Sequence, residues 1–275
     1  EIVLMGALLQ MNAAEQVLQS RGEMAAHGSF PVSSWFVPVY SGLSSTTLHL
    51  LERSFWWFHF VGILLFLNYL PFSKHWHIIM AFPNVYYSSL KPKGEFTNME
   101  SVTTEVKLMM DPSAQPPEGY EAPAGFGARD VNDLTWKNLM DAYTCTECGR
   151  CSSVCPANLT GKLLSPRKVM MDTRDRLEEV GKAMDTQKSE VKIDDGKDLH
   201  SYISAEELWA CTTCNACTEA CPINLDPLSI IIELRRYLVM EESAATASLN
   251  TMQSNIETNG TPWKFANSER ANWTN

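Results

Sequence analysis

The chain has 275 residues, a formal net charge of −10 and an isoelectric point of about 5.1. This acidic balance argues against a nucleic-acid-binding protein, and the sequence contains neither a G-x-G-x-x-G motif nor a Walker loop for a nucleotide or flavin. The mean hydropathy of −0.16 is ordinary for a soluble protein. That average hides two unlike halves, one apolar and one rich in cysteine.

The first eighteen residues include the apolar stretch IVLMGALL, residues 2–9, which is too short to span a bilayer alone. The chain begins with Glu1 and shows no signal-peptide pattern of charged start, apolar middle and cleavage site. We expect this segment to be the end of a membrane helix whose earlier part lies outside the chain.

A second apolar run, Phe55 to Phe72, is bounded by Glu52, Arg53 and Lys74. Its eighteen residues are near the minimum for a hydrocarbon layer of about 30 Å, and extension back to Leu43 gives a comfortable span. A buried core helix of a soluble domain is the competing interpretation. Aromatic residues of the kind found at membrane interfaces border the run: Trp56, Trp57, Tyr69, Trp76, Tyr86 and Tyr87.

Basic residues follow this span at Lys74, Lys91 and Lys93. The positive-inside rule therefore places the C-terminal end of the span, and everything after it, in the cytoplasm. We expect the protein in the cytoplasmic membrane of a bacterium or archaeon.

Two histidines in this region have a spacing that suits cofactor ligands. His59 lies within the apolar run and His77 follows 18 residues later, which on a straight helix is five whole turns and about 27 Å. Imidazole is a common axial ligand of haem. A histidine inside a membrane is energetically costly, so its presence there indicates a function. Spacing alone leaves His49 and His75 open as further candidates.

The region after the membrane segment changes character. Residues 111–130 are rich in proline and glycine and predict a linker or an extended arm that wraps the following domain. Helix signals then appear from Thr135 to Tyr143 and from Ser165 through Pro166 to about Val180. Further helices are predicted behind the Ser204–Glu207 capping box and from Asp226–Pro227 to Tyr237, and polar residues 186–200 predict a surface excursion.

All eight cysteines fall into two runs of the same spacing, C-x2-C-x2-C-x3-C-P, and the second run is the first displaced by 66 residues. They are Cys145, Cys148, Cys151 and Cys155, then Cys211, Cys214, Cys217 and Cys221. This spacing is typical of two-cluster ferredoxins, in which three cysteines bind one 4Fe–4S cluster and the fourth binds the other.

The crossed pattern assigns Cys145, Cys148, Cys151 and Cys221 to cluster I, and Cys211, Cys214, Cys217 and Cys155 to cluster II. Structural zinc usually takes separated C-x2-C pairs, without a third and fourth cysteine followed by proline. A disulfide framework is disfavoured because a chain of this size needs no such cross-links. The sequence therefore predicts two 4Fe–4S clusters.

The segment FHFVGILLFLNYLPFSKHWHI resembles the last haem-binding helix of the gamma subunit of respiratory nitrate reductase, with its H-x17-H spacing and P-F-S-K-x-x-H segment. The resemblance implies two b-type haems, one bound by His59 and the other by His77. In that family the opposing ligands come from an earlier helix, so the remaining ligands would lie outside this chain.

The cluster half resembles heterodisulfide reductase-type iron–sulfur proteins in LTWKNLMDAYTCTECGRCSSVCPA, WACTTCNACTEACPI and NGTPWKFANSERANW. Some relatives of that type place a nitrate-reductase-gamma-like membrane domain before the dicluster domain. The C-C-G motifs of the catalytic subunits are absent, since the chain has no adjacent or spare cysteine. The disulfide chemistry of that family would therefore belong to a separate cytoplasmic redox subunit.

We expect a mostly α fold in four segments. These are a membrane domain truncated at its start (1–95), a linker or extended arm (96–130), a ferredoxin-type dicluster domain (131–243) and a polar tail (244–275) whose Trp263, Phe265 and Trp273 either dock on a partner or pack back. The expected function is electron transfer between quinone and b-type haem in the membrane and a cytoplasmic partner.

Two alternatives stay open. One is a haem-free iron–sulfur subunit of a glycolate or glycerol-3-phosphate oxidase-like complex. The other is a structural cluster subunit of a larger respiratory or photosynthetic assembly. No catalytic acid, base or nucleophile is required in any of these roles.

Overall fold

The structure is a computed structural model that describes residues 2–26, 28–73, 75–92, 95–111, 113–117, 119–120, 125–187 and 195–274. These residues are mostly helical and include no strand. The chain forms two compact units, Glu1–Trp76 and His77–Asn275. The expected fold class, a membrane helix followed by an α-helical cluster domain, is confirmed at this level.

In the first unit, the described residues form the α-helices α1 (Ile2–Ser20), α2 (Val37–Tyr40) and α3 (Ser45–Tyr69). The Ser44 side chain caps α3 by accepting from the Thr47 N–H. Gly62 lets α3 pack closely against α1, because a Cβ there would collide with the Leu4 side chain. The small core of the unit consists of Ala13, Ala14, Val17, Leu18, Tyr40 and Leu48.

One helical stretch in the described part of the chain, Ser45–Phe72, is long and apolar enough to cross a membrane. It combines α3 with a short 3-10 helix, Leu70–Phe72. None of its most apolar window is buried within the chain. Its outward-facing leucine, isoleucine and phenylalanine side chains are what a lipid-facing helix presents.

The spacing of five turns between His59 and His77 applies only to a straight helix, and the structure has two separate helices here. α3 ends at Tyr69, and Pro71 lies in the 3-10 helix that follows it. Proline has no N–H to continue the α-helical hydrogen bonds and its ring clashes with the preceding turn. His77 therefore lies on the next helix, α4 (Trp76–Tyr86), and the phase argument from helical periodicity does not apply.

The second unit contains the remaining α-helices. They are, besides most of α4, α5 (Glu100–Met110), α6 (Trp136–Thr144), α7 (Arg150–Ser153), α8 (Pro156–Leu159), α9 (Pro166–Gln187), α10 (Ala205–Ala210), α11 (Ala216–Glu219), α12 (Pro227–Met240) and α13 (Ala247–Asn259). The helices α6, α9 and α12 pack around one core, whose largest fully buried apolar side chains include Leu164, Met170, Leu208, Ile230 and Leu234.

The predicted helix starts of this unit are confirmed. Thr135 accepts from the Asn138 N–H at the start of α6, and Asp226 accepts from the Ser229 N–H at the start of α12. The Ser204–Glu207 capping box precedes α10. The helix expected to end near residue 180 starts at Pro166 as predicted but continues to Gln187.

The described end of the predicted arm, residues 125–130, lies against α12. The Phe126 N–H donates to Glu241 Oε1 at 2.7 Å, and the Ala128 N–H donates to the Glu233 carbonyl at 3.0 Å. Gly127 has a φ of 72° and approaches the α12 backbone so closely that a Cβ would collide with it. Residues 112, 118 and 121–124 of this arm lie outside the described residues, as do Lys74 and Lys93.

Arg176 on α9 joins three parts of the second unit. Its fully buried guanidinium donates to both carboxylate oxygens of Asp130, to Asp195 Oδ2 at 2.6 Å and to the Lys197 carbonyl at 2.9 Å. The adjacent Leu199 is also fully buried. The expected surface excursion is therefore confirmed for residues 195–197, which are exposed, and is wrong for Leu199, which is buried in the core; residues 188–194 lie outside the described residues.

The C-terminal tail continues as α13 and two short 3-10 helices. Its aromatic residues Trp263, Phe265 and Trp273 are exposed. Of the two options that the sequence left open, packing back on the domain is not what the structure shows.

We expect Arg176→Met to lower the free energy of unfolding of the cluster-loaded protein by roughly 3–5 kcal/mol, because it leaves two carboxylates without their buried partner.

The Arg176 guanidinium lowers the pKa of Asp195 to about 2. This carboxylate therefore contributes its stabilisation above its unfolded pKa of about 4 and loses it only as the pH falls towards 2, so the effect is complete at pH 7.

Urea unfolding followed by circular dichroism would measure this change. Lys182→Met on the same helix is the matched control, because its ion pair with Glu178 is exposed and contributes little. Equal stability of the two variants would contradict a structural role for Arg176.

Candidate iron–sulfur site

The two cysteine runs start in the same way. α6 ends at Thr144 and α10 ends at Ala210, so that Cys145 and Cys211 cap these helices with extended backbones of φ −63°, ψ 123° and φ −68°, ψ 125°. The sequence repeat of 66 residues is therefore also a repeat of backbone conformation.

Left-handed residues then turn each loop back on itself. Glu147 (φ 58°) and Thr213 (φ 56°) occupy equivalent positions, and each donates its N–H to the Sγ of the first cysteine of its run at 3.4 Å. Hydrogen bonds to cysteine sulfur are one of the means by which a protein adjusts the potential of an iron–sulfur cluster. The loops are thus shaped around the sulfur atoms.

Three thiols of the first run lie together with the last thiol of the second. Burial raises the pKa of Cys145, and the nearby thiols of Cys151 and Cys221 raise it further. Burial likewise raises the pKa of Cys151, with Cys148 and Cys221 as neighbouring thiols. These four cysteines, with Cys217, line a cavity of about 100 Å³.

The other four thiols form the second group. Burial raises the pKa of Cys211, and its neighbours Cys155 and Cys214 add to that effect. Burial raises the pKa of Cys217 to about 12, with a further contribution from Cys211. The neighbouring thiols of Cys145, Cys151 and Cys211 are those that the crossed grouping expects, and the assignment of the eight cysteines to cluster I and cluster II stays a prediction.

The donor set of each group fits an iron–sulfur cluster. Four soft thiolate sulfurs are the ligands that such clusters use. Among the described residues, no group of three or more His, Cys, Asp or Glu side chains is arranged to bind a single metal ion. One cysteine of each group, Cys148 and Cys214, is exposed at the surface.

Positive charge is concentrated at the first group. Arg150 and Arg167 line its cavity, and Arg174 Nη1 lies 2.9 Å from Glu147 Oε1 in the first loop. The residues that stand 66 positions later are Ala216, Glu233 and Met240. The repeat therefore copies the backbone without copying these charges.

The second group has a different charge arrangement. Arg235 donates to the carbonyl oxygens of Leu208 at 2.9 Å and of Cys211 at 2.6 Å, and it stacks over the Trp209 ring. The carboxylate of Asp226 lies near Cys217 and adds to the rise in its pKa. The second group therefore has one positive and one negative side chain nearby, instead of an excess of positive charge.

The two predicted haem ligands lie in different units. In the first unit, His59 Nδ1 lies 2.8 Å from the Leu4 carbonyl oxygen. In the second, His77 lines the cavity of the first cysteine group together with Ala81, also from α4. The sequence analysis missed that His77 and the arginines Arg150 and Arg167 lie at the first cysteine group. A position-by-position comparison of the two cysteine runs would have indicated the arginines, because the second run lacks them.

A model of the 4Fe-4S dicluster domain matches residues 144–225, which contain all eight cysteines. The chain therefore contains a 4Fe–4S dicluster domain and is an iron–sulfur electron-transfer protein. No solved structure matches it. The resemblance of the cluster half to heterodisulfide reductase-type proteins is supported by matches to proteins that are named as components of such enzymes.

Curated relatives have names of the same chemistry. The chain is 31% identical over 273 residues to the probable iron-sulfur-binding oxidoreductase FadF of Bacillus subtilis. This match covers 89% of the chain and 36% of that protein. It is 28% identical over 263 residues to the EtfAB:quinone oxidoreductase of Syntrophomonas wolfei, covering 88% and 34%. A probable membrane-anchored ferredoxin of Chromohalobacter salexigens is 30% identical over 189 residues, covering 63% and 27%.

The chain thus matches about a third of the length of each of these three relatives. The membrane-anchored relative and the apolar helix Ser45–Phe72 together support membrane association of this chain.

The crossed grouping can be tested by removing single cysteines. We expect Cys155→Ala to lose about four of about eight irons and to give the same electron paramagnetic resonance (EPR) spectrum as Cys214→Ala, because both would remove a ligand of cluster II. Cys221→Ala should instead match Cys148→Ala. Ser153→Ala, between Cys151 and Cys155 in the first run, is the control that should keep all irons, and the opposite pairing of spectra would contradict the assignment.

The charge difference predicts unequal potentials. Arg167→Gln should lower the potential of cluster I, because a nearby positive charge favours the reduced, more negative cluster. We expect about a tenfold shift in its reduced-to-oxidised ratio, equivalent to about 59 mV for one electron. The shift should shrink at high salt, since Arg167 is exposed.

An EPR-monitored redox titration would measure it, with cluster I identified as the signal lost in Cys148→Ala. Arg167→Lys keeps the charge and should keep the potential. An unchanged cluster I signal in Arg167→Gln, or a shift confined to cluster II, would show that this arginine does not set the difference.

Proposed function

We propose that this chain carries electrons between quinone in a membrane and a redox partner on the cytoplasmic side. The observation that supports this best is the position of His77, which the resemblance assigns to a b-type haem and which lines the cavity of the cluster I cysteines. A group bound by His77 would lie beside cluster I. The cytoplasmic side follows from Lys74, Lys91 and Lys93 after the span.

His59 fits a haem ligand by its hydrogen bond. An N–H at Nδ1 that donates to the Leu4 carbonyl leaves the Nε2 lone pair for a metal, and such a partner for the second nitrogen is usual in histidine ligands. A b-type haem bound there would supply one-electron chemistry. The remaining axial ligands would come from outside this chain.

The two cysteine groups give the direction of the path through the second unit. Each group exposes one cysteine, Cys148 or Cys214, and only the cluster I group shares its cavity with His77. If His77 is on the membrane side of the path, cluster II is the point at which a soluble partner would exchange electrons. One similar protein is named for EtfAB and quinone, and we propose corresponding partners here, quinone on the membrane side and a redox protein or subunit on the other.

A second candidate is a membrane-anchored ferredoxin that binds no haem. The name of the Chromohalobacter salexigens relative favours it. In that case His59 and His77 would serve packing and hydrogen bonding, and the membrane helix would only anchor the clusters.

The test uses the full chain purified anaerobically in detergent. We expect about eight non-haem irons, a b-type haem spectrum after reduction, and reduction of the clusters by a quinol. His59→Ala should abolish a haem band while it keeps about eight irons, because the cysteines lie in the other unit.

His49→Ala is the matched control, since this histidine lies on the same helix and contacts Glu23 at 3.6 Å. It should keep both iron and haem. Eight irons without haem in the parent protein would favour the anchored ferredoxin, and zinc in place of iron would rule out both candidates.

A further inference from the structure

The helix α4 has two unlike faces within the second unit. Its inner face carries His77, Ala81 and Asn84, spaced by about one helical turn each. His77 and Ala81 line the cluster I cavity. Asn84 is fully buried; it donates to the Ile223 carbonyl at 3.1 Å and accepts from Lys137 Nζ at 3.0 Å. This face fixes α4 against the cluster domain.

The outer face of α4 is apolar and uncovered. Phe82 and Tyr86 expose 77% and 81% of their surfaces. Trp136 at the start of α6 joins them, because its ring packs edge-on against Tyr87 at 5.2 Å and is itself 61% exposed. We name this region the α4 surface and define it by Ile78, Phe82, Tyr86, Tyr87, Leu90 and Trp136.

The sequence on both sides of α4 has few acidic residues. Residues 53–94 contain no Asp or Glu, although the chain has 32 of them and a net charge of −10. Lys74 precedes α4 in the sequence and Lys91 and Lys93 follow it, with Lys91 in an exposed ion pair with Glu95 at 3.3 Å. Basic residues beside a membrane span are attracted to anionic lipid headgroups by about 1 kcal/mol each.

The position of α4 in the chain and the residue types of the α4 surface both indicate the interface between a membrane and water. Trp76, the first residue of α4, follows Phe72, the last residue of the apolar stretch, by four positions, which span at most about 14 Å when extended. Tyrosine and tryptophan, which carry both an apolar ring and a polar group, are enriched where hydrocarbon meets water. An apolar surface of this kind in water would be costly.

We propose that the α4 surface lies in the headgroup region of an anionic bilayer, with α4 flat on the membrane. An amphipathic helix at an interface buries its apolar face to a depth of about 5–10 Å. Cluster I, on the opposite face of α4, is then separated from the lipid by about the 10 Å diameter of one helix. The membrane contact stands by itself; its use for electron exchange rests on the proposed function.

The test measures the depth of α4 in vesicles of phosphatidylcholine and phosphatidylglycerol. A nitroxide label at Phe82→Cys in the full, cluster-loaded chain reports collisions with oxygen, which concentrates in lipid, and with a nickel chelate, which stays in water. Lys182→Cys is the control, since α9 places it about 22 Å along the helix from Arg167 at the cluster I cavity.

We expect the ratio of oxygen to nickel-chelate collisions to be several-fold higher at residue 82 than at residue 182. Equal ratios would place the α4 surface in water, and a label shielded from both reagents would place it under another protein segment. Either result overturns the inference. Neither affects the iron, haem and quinol measurements that test the proposed function, so the two failures can be told apart.

The consequence for electron exchange is tested with Phe82→Glu. A charge on this surface should slow cluster reduction by quinol several-fold while dithionite still reduces both clusters fully. Lys182→Glu should change neither rate. An unaltered quinol rate in Phe82→Glu would contradict a role of the α4 surface in electron exchange.

Discussion

In the crossed grouping, neither cysteine run supplies a four-thiol group by itself, because the fourth thiol of each group belongs to the other run. Cys221 is a neighbour of Cys145 in the first group, and Cys155 is a neighbour of Cys211 in the second. The helices between and around the runs must therefore pack before either group is complete. Cluster binding and the folding of the second unit are consequently coupled, as in other metal sites whose ligands are distant in sequence.

The two halves share a backbone and differ in their surroundings. The loops have the same turns and the same N–H to sulfur hydrogen bonds, which any cluster loop of this type needs. The charges are specific to each half: Arg150 and Arg167 lie at the first group, whereas Arg235 and Asp226 lie at the second. Duplicated geometry thus gives two similar sites, and the unequal charge is the basis on which we expect their potentials to differ.

The helix α4 connects the cluster I site with the proposed membrane contact. One face carries His77 towards the cluster I cavity, and the opposite face exposes Phe82 and Tyr86. Pro71 makes this arrangement possible by ending the apolar helix, since a continuous helix would have fixed the direction of His77 by that of His59. A separate helix leaves the residues after the proline free to pack on the cluster domain.

Features with local signals could be predicted from the amino-acid sequence. The cysteine spacing predicted the clusters, the apolar run predicted a membrane helix, and Thr135, Ser204 and Asp226 marked the helix starts, because each signal depends on residues within a few positions of one another. The contacts between distant side chains, in contrast, were visible only in the folded chain. Arg176 with Asp130 and Asp195, His77 with the cluster I cysteines, and the uncovered face of α4 all depend on packing between segments far apart in the chain, and no local pattern encodes such contacts.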